Sequence, residues 1–155
     1  MSKIVIIGAG AMGTAFSLPC LDNNHDTNIV GTHLEDDFID NLKKNKNLHP
    51  GLKTIIPGGI NVFKFDKFDE LLKSNVDLIV LGINSKGIEW VADQLSRLYK
   101  DKKIPKILML TKGLSIYNNK YEYRPYKSQD PLVLAKILDL RVFNDISLNE
   151  FKQEK

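Results

Sequence analysis

Apolar positions in this chain come in solid blocks rather than strict alternation. Ile4-Val5-Ile6-Ile7 is an unbroken β-branched run that stops at Gly8. A run without polar alternation suits a strand covered on both faces, as at the centre of a parallel sheet. Thr14-Ala15-Phe16-Ser17-Leu18 then reads as the first turns of a helix. A polar turn, Asn23-Asn24-His25-Asp26, precedes a second short strand over 28–31, and 35–46 reads as a helix with acids early and lysines late, matching its dipole. Turn chemistry follows in His49-Pro50-Gly51 and Pro57-Gly58-Gly59, and this stretch is expected to be a loop leading to a strand over 61–65 and a short helix over 68–74. A strand over 77–81, an amphipathic helix over 86–99 and a fifth strand over 106–110 complete the series. Strands alternating with helices through right-handed crossovers predict an α/β fold, a doubly wound parallel sheet.

Composition narrows the function classes. At 155 residues, 43% hydrophobic and 26% charged, the chain can bury one ordinary core, and no composition shift marks a second domain. The net charge of +3 is spread over scattered lysines with no basic block interleaved with aromatics, so nucleic acid is not an expected partner. Cys20 is the single cysteine, and His25, His33 and His49 show no metal-ligand spacing, so neither a disulfide framework nor a metal site is expected. No apolar stretch approaches the roughly 20 residues of a membrane helix, and the run at 4–7 is too short for a signal-peptide core. No membrane insertion and a cytoplasmic location are the expectations.

Candidate chemistry sits where strands end. Gly8, Gly10 and Gly13 spell G-x-G-x-x-G directly after the first strand and at the opening of a helix, a context that points to dinucleotide binding. Gly8 allows the tight turn, Gly10 lets backbone approach a pyrophosphate, and Gly13 lets helix and strand pack closely. The N–H groups of Ala11 and Met12, with the positive end of the helix dipole, favour the negative ligand. In NAD-binding domains an acid stands roughly 20 residues past the glycines, on the ribose hydroxyls. Here Gly31-Thr32-His33-Leu34 supplies none before Glu35. Thr32 and His33 could accommodate a 2′-phosphate or merely finish a strand, and no arginine is present to clamp one, so the cofactor is NAD or NADP. After the fourth strand, Asn84 or Ser85 can cap the next helix while backbone groups face the cofactor. After the fifth, Lys112 stands at the ligand edge of the sheet, a point charge suited to a carbonyl, hydroxyl or phosphate.

The order GAGAMGTAFS, a loop containing HPGLK, DLIVLGINS and LMLTKGLS resembles the N-terminal domain of NAD(P)-dependent glycerol-3-phosphate dehydrogenase over about residues 1–116, and looks most like the archaeal form. The Thr-Lys-Gly-Leu block in register with the other two is the more specific part; the glycine turn is shared with many dehydrogenases. The resemblance implies a Rossmann-type sheet and a cofactor turn at Gly8, Gly10, Ala11, Met12 and Gly13. It places Asn84-Ser85 where the family writes Pro-Ser or Pro-Thr beside the nicotinamide half, though the proline is missing here. It makes Lys112 a substrate-contacting lysine. The implied reaction is hydride transfer between NAD(P)H and dihydroxyacetone phosphate or glycerol 3-phosphate, so a phosphorylated triose is the implied small-molecule partner.

The family's helical C-terminal domain, with its proton-transferring lysine and a homodimer contact, has no counterpart in this sequence. Residues 1–116 are expected to form the cofactor-binding domain. Residues 117–155 are expected to be a divergent segment, turn-rich around Tyr117, Tyr121, Tyr123 and Tyr126, helical over 131–140 and frayed over 149–155. Either these residues are the front part of a longer enzyme, inactive alone, or they form a nucleotide-binding module without chemistry. Another two-domain dehydrogenase, such as a ketopantoate-reductase-like enzyme, shares the front half, but the Thr-Lys-Gly-Leu block argues against it.

Overall fold

The computed structural model describes residues 1–100, 102–111, 115–117 and 120–122. Five parallel strands form the central sheet: β1 (Lys3–Ile7), β2 (Asp26–Val30), β5 (Ile60–Phe63), β6 (Leu78–Leu81) and β7 (Lys106–Met109), in the spatial order β5-β2-β1-β6-β7. Between them run α1 (Ala11–Asp22), α2 (Asp36–Lys44), α3 (Phe68–Lys73) and α4 (Ile88–Leu98). The chain moves outward from β1 through β2 to β5, then crosses back to set β6 against the free side of β1. This reversal between β1 and β6 is where ligands bind in open α/β sheets, outside the carboxyl ends of the strands.

The unbroken apolar run of β1 has the expected cause. Val5, Ile6 and Ile7 are fully buried, and successive side chains enter opposite cores. Val5 and Ile7 join Phe68, Leu72, Ile79, Leu81, Val91 and Leu95 under α3 and α4. Ile4 and Ile6 join Cys20, Ile29, Ile39, Leu42 and Val80 under α1 and α2. Burying each such side chain contributes about 1.5–3 kcal/mol. The Cys20 thiol, within the second core, has its pKa pushed up by burial, which suits a packing role. Helix α1 approaches the sheet with small polar residues; its buried Thr14 and Ser17 hydroxyls donate to the carbonyls of Ala9 (3.2 Å) and Thr14 (2.6 Å).

Several boundaries differ from the sequence pattern. Asp26 belongs to β2 rather than to the turn, because its N–H donates to Ser2 O at 3.0 Å and its partner across the ladder is Lys3. Asp77 lies outside β6 and accepts the Lys3 N–H at 2.7 Å. Phe65 leaves β5 for a 3₁₀ turn, Phe65–Lys67, with its N–H on Asp36 Oδ1 at 3.0 Å. The stretch expected to be a loop between α2 and β5 contains an antiparallel hairpin, β3 (Leu48–His49) and β4 (Thr54–Ile55). A second hairpin pairs β8 (Ser115–Tyr117) with β9 (Lys120–Glu122), where only turns were expected. The expected helix over 131–140, the frayed end over 149–155, Tyr123, Tyr126 and Lys112 lie outside the described residues. Among the described residues no helix is long and apolar enough to cross a membrane, and no group of His, Cys, Asp and Glu could hold a metal ion.

Candidate functional site

Gly8, the residue after β1, takes φ +107°, a conformation that side chains rarely adopt. A Cβ there would also sit 2.8 Å from the carbonyl oxygen of Gly82, the residue after β6. A Cβ on Gly82 would in turn sit 2.8 Å from Gly13 Cα, and one on Gly13 would overlap the Gly8 carbonyl oxygen. Three backbones therefore meet at the reversal point with no room for a side chain. Gly10 is different: its φ is −68°, and a Cβ there would meet nothing within 4 Å. Gly10 is also the N-cap of α1 and gives it no side-chain cap, so the first N–H groups of the helix face the cleft unpartnered.

The cleft holds about 830 Å³, within the range of small-molecule sites. Gly10, Ala11 and Met12 form its floor; Thr32, His33, Leu34 and Glu35 form the wall beyond β2; Gly82, Ile83, Asn84, Lys86, Gly87 and Trp90 form the wall beyond β6; Leu110 closes one end. Of the residues singled out from sequence, Gly10, Ala11, Met12, Thr32, His33 and Asn84 are thus brought together. Gly8 and Gly13 lie behind the floor, Ser85 is outside the lining, and Lys112 is outside the described residues. Asn84 is the cap: its Oδ1 accepts the Gly87 N–H at 3.2 Å and so starts the 3₁₀ turn Ser85–Gly87 that leads into α4.

Four residues that hold the site were not legible in the pattern. Glu35 is the first acid after β2, and both of its carboxylate oxygens are engaged by backbone: Oε1 accepts the Ala9 N–H at 3.1 Å and Oε2 the Thr32 N–H at 2.8 Å. Buried His49 reaches the same turn from the β3–β4 hairpin. Its Nδ1 faces the Leu52 N–H at 3.1 Å and must be the acceptor, so Nε2 carries the proton and donates to Ala9 O at 3.2 Å. Both backbone polar groups of Ala9 are thereby tied down. Trp90 extends from α4 to His33, with ring centroids 4.8 Å apart. At the far wall Thr111, 2% exposed, donates its hydroxyl to Ile83 O at 2.9 Å and joins the end of β7 to the loop after β6.

A parallel sheet reversing at β1 and β6, with a glycine turn and an uncapped helix N-terminus opening on a cleft there, defines a Rossmann-type dinucleotide-binding domain. Residues 3–124 match the family described as NAD-dependent glycerol-3-phosphate dehydrogenase N-terminus, and the chain belongs to that family. An NADP(+)-dependent glycerol-3-phosphate dehydrogenase of Archaeoglobus fulgidus is 28% identical over 116 residues, 75% of this chain and 33% of that protein. A glycerol-3-phosphate dehydrogenase [NAD(P)+] of Bacillus velezensis is 33% identical over 92 residues, 59% of this chain and 25% of that protein. The crystal structure of glycerol-3-phosphate dehydrogenase from Coxiella burnetii superposes with a TM-score of 0.66 at 20% identity, covering 90% of this chain and 38% of that one, and shares the fold. The chain thus spans about a third or less of the length of these curated relatives.

Proposed function

We propose that this chain is the dinucleotide-holding part of a glycerol-3-phosphate dehydrogenase, taking NADH or NADPH in the cleft between the ends of β1, β2 and β6. The observation that carries this reading is the open space at Gly10: a glycine whose backbone angles any residue could adopt, standing where a helix N-terminus offers free N–H groups. That space fits a pyrophosphate, which the N–H groups of Ala11 and Met12 would hold with help from the α1 dipole. Thr32 and His33 would flank the adenosine ribose and Asn84 the nicotinamide half, with Ser85 next to it outside the lining. When bound, the nicotinamide supplies the hydride exchanged with C2 of dihydroxyacetone phosphate or glycerol 3-phosphate. The residues of this chain bind and orient. Lys112, carried over from the family's Thr-Lys-Gly-Leu block, would hold the substrate oxygen.

Trp90, the chain's single tryptophan, lines the cleft and provides the readout. Titrated with NADH or NADPH, the chain is expected to show saturable quenching of Trp90 emission. Gly10→Val is expected to lower the affinity sharply with the unfolding midpoint nearly unchanged, since its Cβ enters open space. Gly58→Val, at another glycine with nothing within 4 Å but outside the cleft, is the control expected to bind as the parent does. Equal affinities in all three proteins would remove the cofactor from this cleft.

A further inference from the structure

Glu35 is the acid of the ribose wall, and each of its carboxylate oxygens already accepts a backbone N–H. A carboxylate that accepts two ribose hydroxyls must have lone pairs directed at the ligand, yet Glu35 spends one oxygen on the Ala9 N–H and the other on the Thr32 N–H. Thr32 itself accepts the Leu34 N–H at 3.4 Å, and its hydroxyl hydrogen has no acceptor among the described residues. His33 hydrogen-bonds through neither ring nitrogen among the described residues; its ring rests on Trp90. Beside the engaged carboxylate, the Thr32 hydroxyl and the His33 ring are thus left to donate to a ligand.

The facing wall adds a cation. Lys86 lines the same cleft, is exposed, and has no ion-pair or hydrogen-bond partner among the described residues. It stands in the 3₁₀ turn that leads into the N-terminus of α4, where a positive charge opposes the helix dipole, so local stability does not explain it. Lys86 and Trp90 are four residues apart on a continuous helical path and so share a face, and Trp90 carries His33 against it. The charge thus lines the same cleft as Thr32 and His33.

Building on the dinucleotide-binding reading above, we infer that the cleft selects a 2′-phosphorylated dinucleotide, with Lys86 the charge that reads the 2′-phosphate, and the Thr32 hydroxyl and His33 ring its neutral partners. A charge-assisted hydrogen bond from Lys86 gives a preference of about 10- to 100-fold for NADPH over NADH. An ammonium suffices for this role although no arginine stands near, because a lone phosphate dianion needs a point charge rather than a fork.

The test is binding by the full chain, followed at Trp90. NADPH and NADH are titrated in parallel, with adenosine 2′,5′-bisphosphate and 5′-AMP as fragments that differ only in the 2′-phosphate. NADPH and the bisphosphate are expected to bind more tightly by about 10- to 100-fold. Lys86→Ala, an exposed position, is expected to abolish most of that difference, lowering NADPH affinity far more than NADH affinity. Equal binding of NADPH and NADH, or a preference untouched by Lys86→Ala, overturns the inference while leaving the cleft a dinucleotide site. Binding of neither dinucleotide overturns the functional reading itself.

Discussion

At the start of α2 the Glu35 carboxylate joins the glycine turn to the end of β2, and His49 holds the carbonyl of the same residue, Ala9. Ala9 is 1% exposed, so water cannot replace either bond. Glu35→Ala leaves the Ala9 N–H buried without an acceptor, which costs about 1–3 kcal/mol. The expected result is a lower urea midpoint together with weaker dinucleotide binding, since the amides that would face a pyrophosphate follow directly after Ala9. Glu35→Gln keeps one acceptor oxygen and is expected to recover part of both losses. A stability loss with binding unchanged would show that the turn holds its shape without the carboxylate.

At the level of elements, the contact that matters most for the site is between backbones. Gly8, Gly13 and Gly82 let β1, α1 and β6 meet with no side chain between them, and the N-terminus of α1 reaches the reversal point because of it. Ladder pairing of Ile7 with Leu81 brings Gly8 and Gly82 level. Gly82→Ala sets a Cβ against Gly13 Cα at 2.8 Å and Ile7 O at 3.3 Å, and neither is a flexible side-chain tip. Overpacking of this kind costs about 1–3 kcal/mol. Thermal unfolding of Gly82→Ala is expected to begin at a clearly lower temperature, with dinucleotide affinity falling too because α1 must shift. Unchanged unfolding would mean that the two strand ends part at little cost. Elsewhere the elements are joined more loosely: Arg97 of α4 grips Asp69 of α3 through 2.6 Å and 2.9 Å bonds and holds that carboxyl below its usual range. Both groups are largely solvated, so this pair orients the two helices more than it stabilises them.

As a whole, the molecule is a sheet with a core on each face and a cleft outside the carboxyl ends of its central strands. The resemblance implies that the groups moving a proton belong to a helical domain, and this chain spans about a third or less of the length of its curated relatives. The 155-residue chain is therefore expected to bind NADPH yet oxidise it with dihydroxyacetone phosphate only at background rate, because loss of a positioned acid or base typically costs about 10²–10⁴-fold and the substrate lacks a second wall. The measurement is the fall in nicotinamide absorbance at saturating ketone. Robust turnover by the purified chain would place a proton-transferring group within residues 117–155.

The alternation of strands and helices, the solid apolar character of β1 and the glycine turn at the mouth of α1 were legible in the amino-acid sequence, because each depends on chemistry local to a few residues: β-branched packing on two faces, a positive φ at Gly8, a missing Cβ at Gly10; the spatial order of the strands came only from the structure. The same holds for Asn84, whose capping bond spans three residues. The β3–β4 hairpin was not legible, since proline and glycine at its tip mark a turn but not the pairing of Leu48 with Ile55 beside it. Nor was the work of Glu35, His49 and Gly82, whose partners lie 26, 40 and about 69 residues away along the chain. An acid near the end of β2 reads equally well as a ribose ligand or as a fastener, and only the folded backbone, by bringing the Ala9 and Thr32 N–H groups to its two oxygens, shows it fastening the turn.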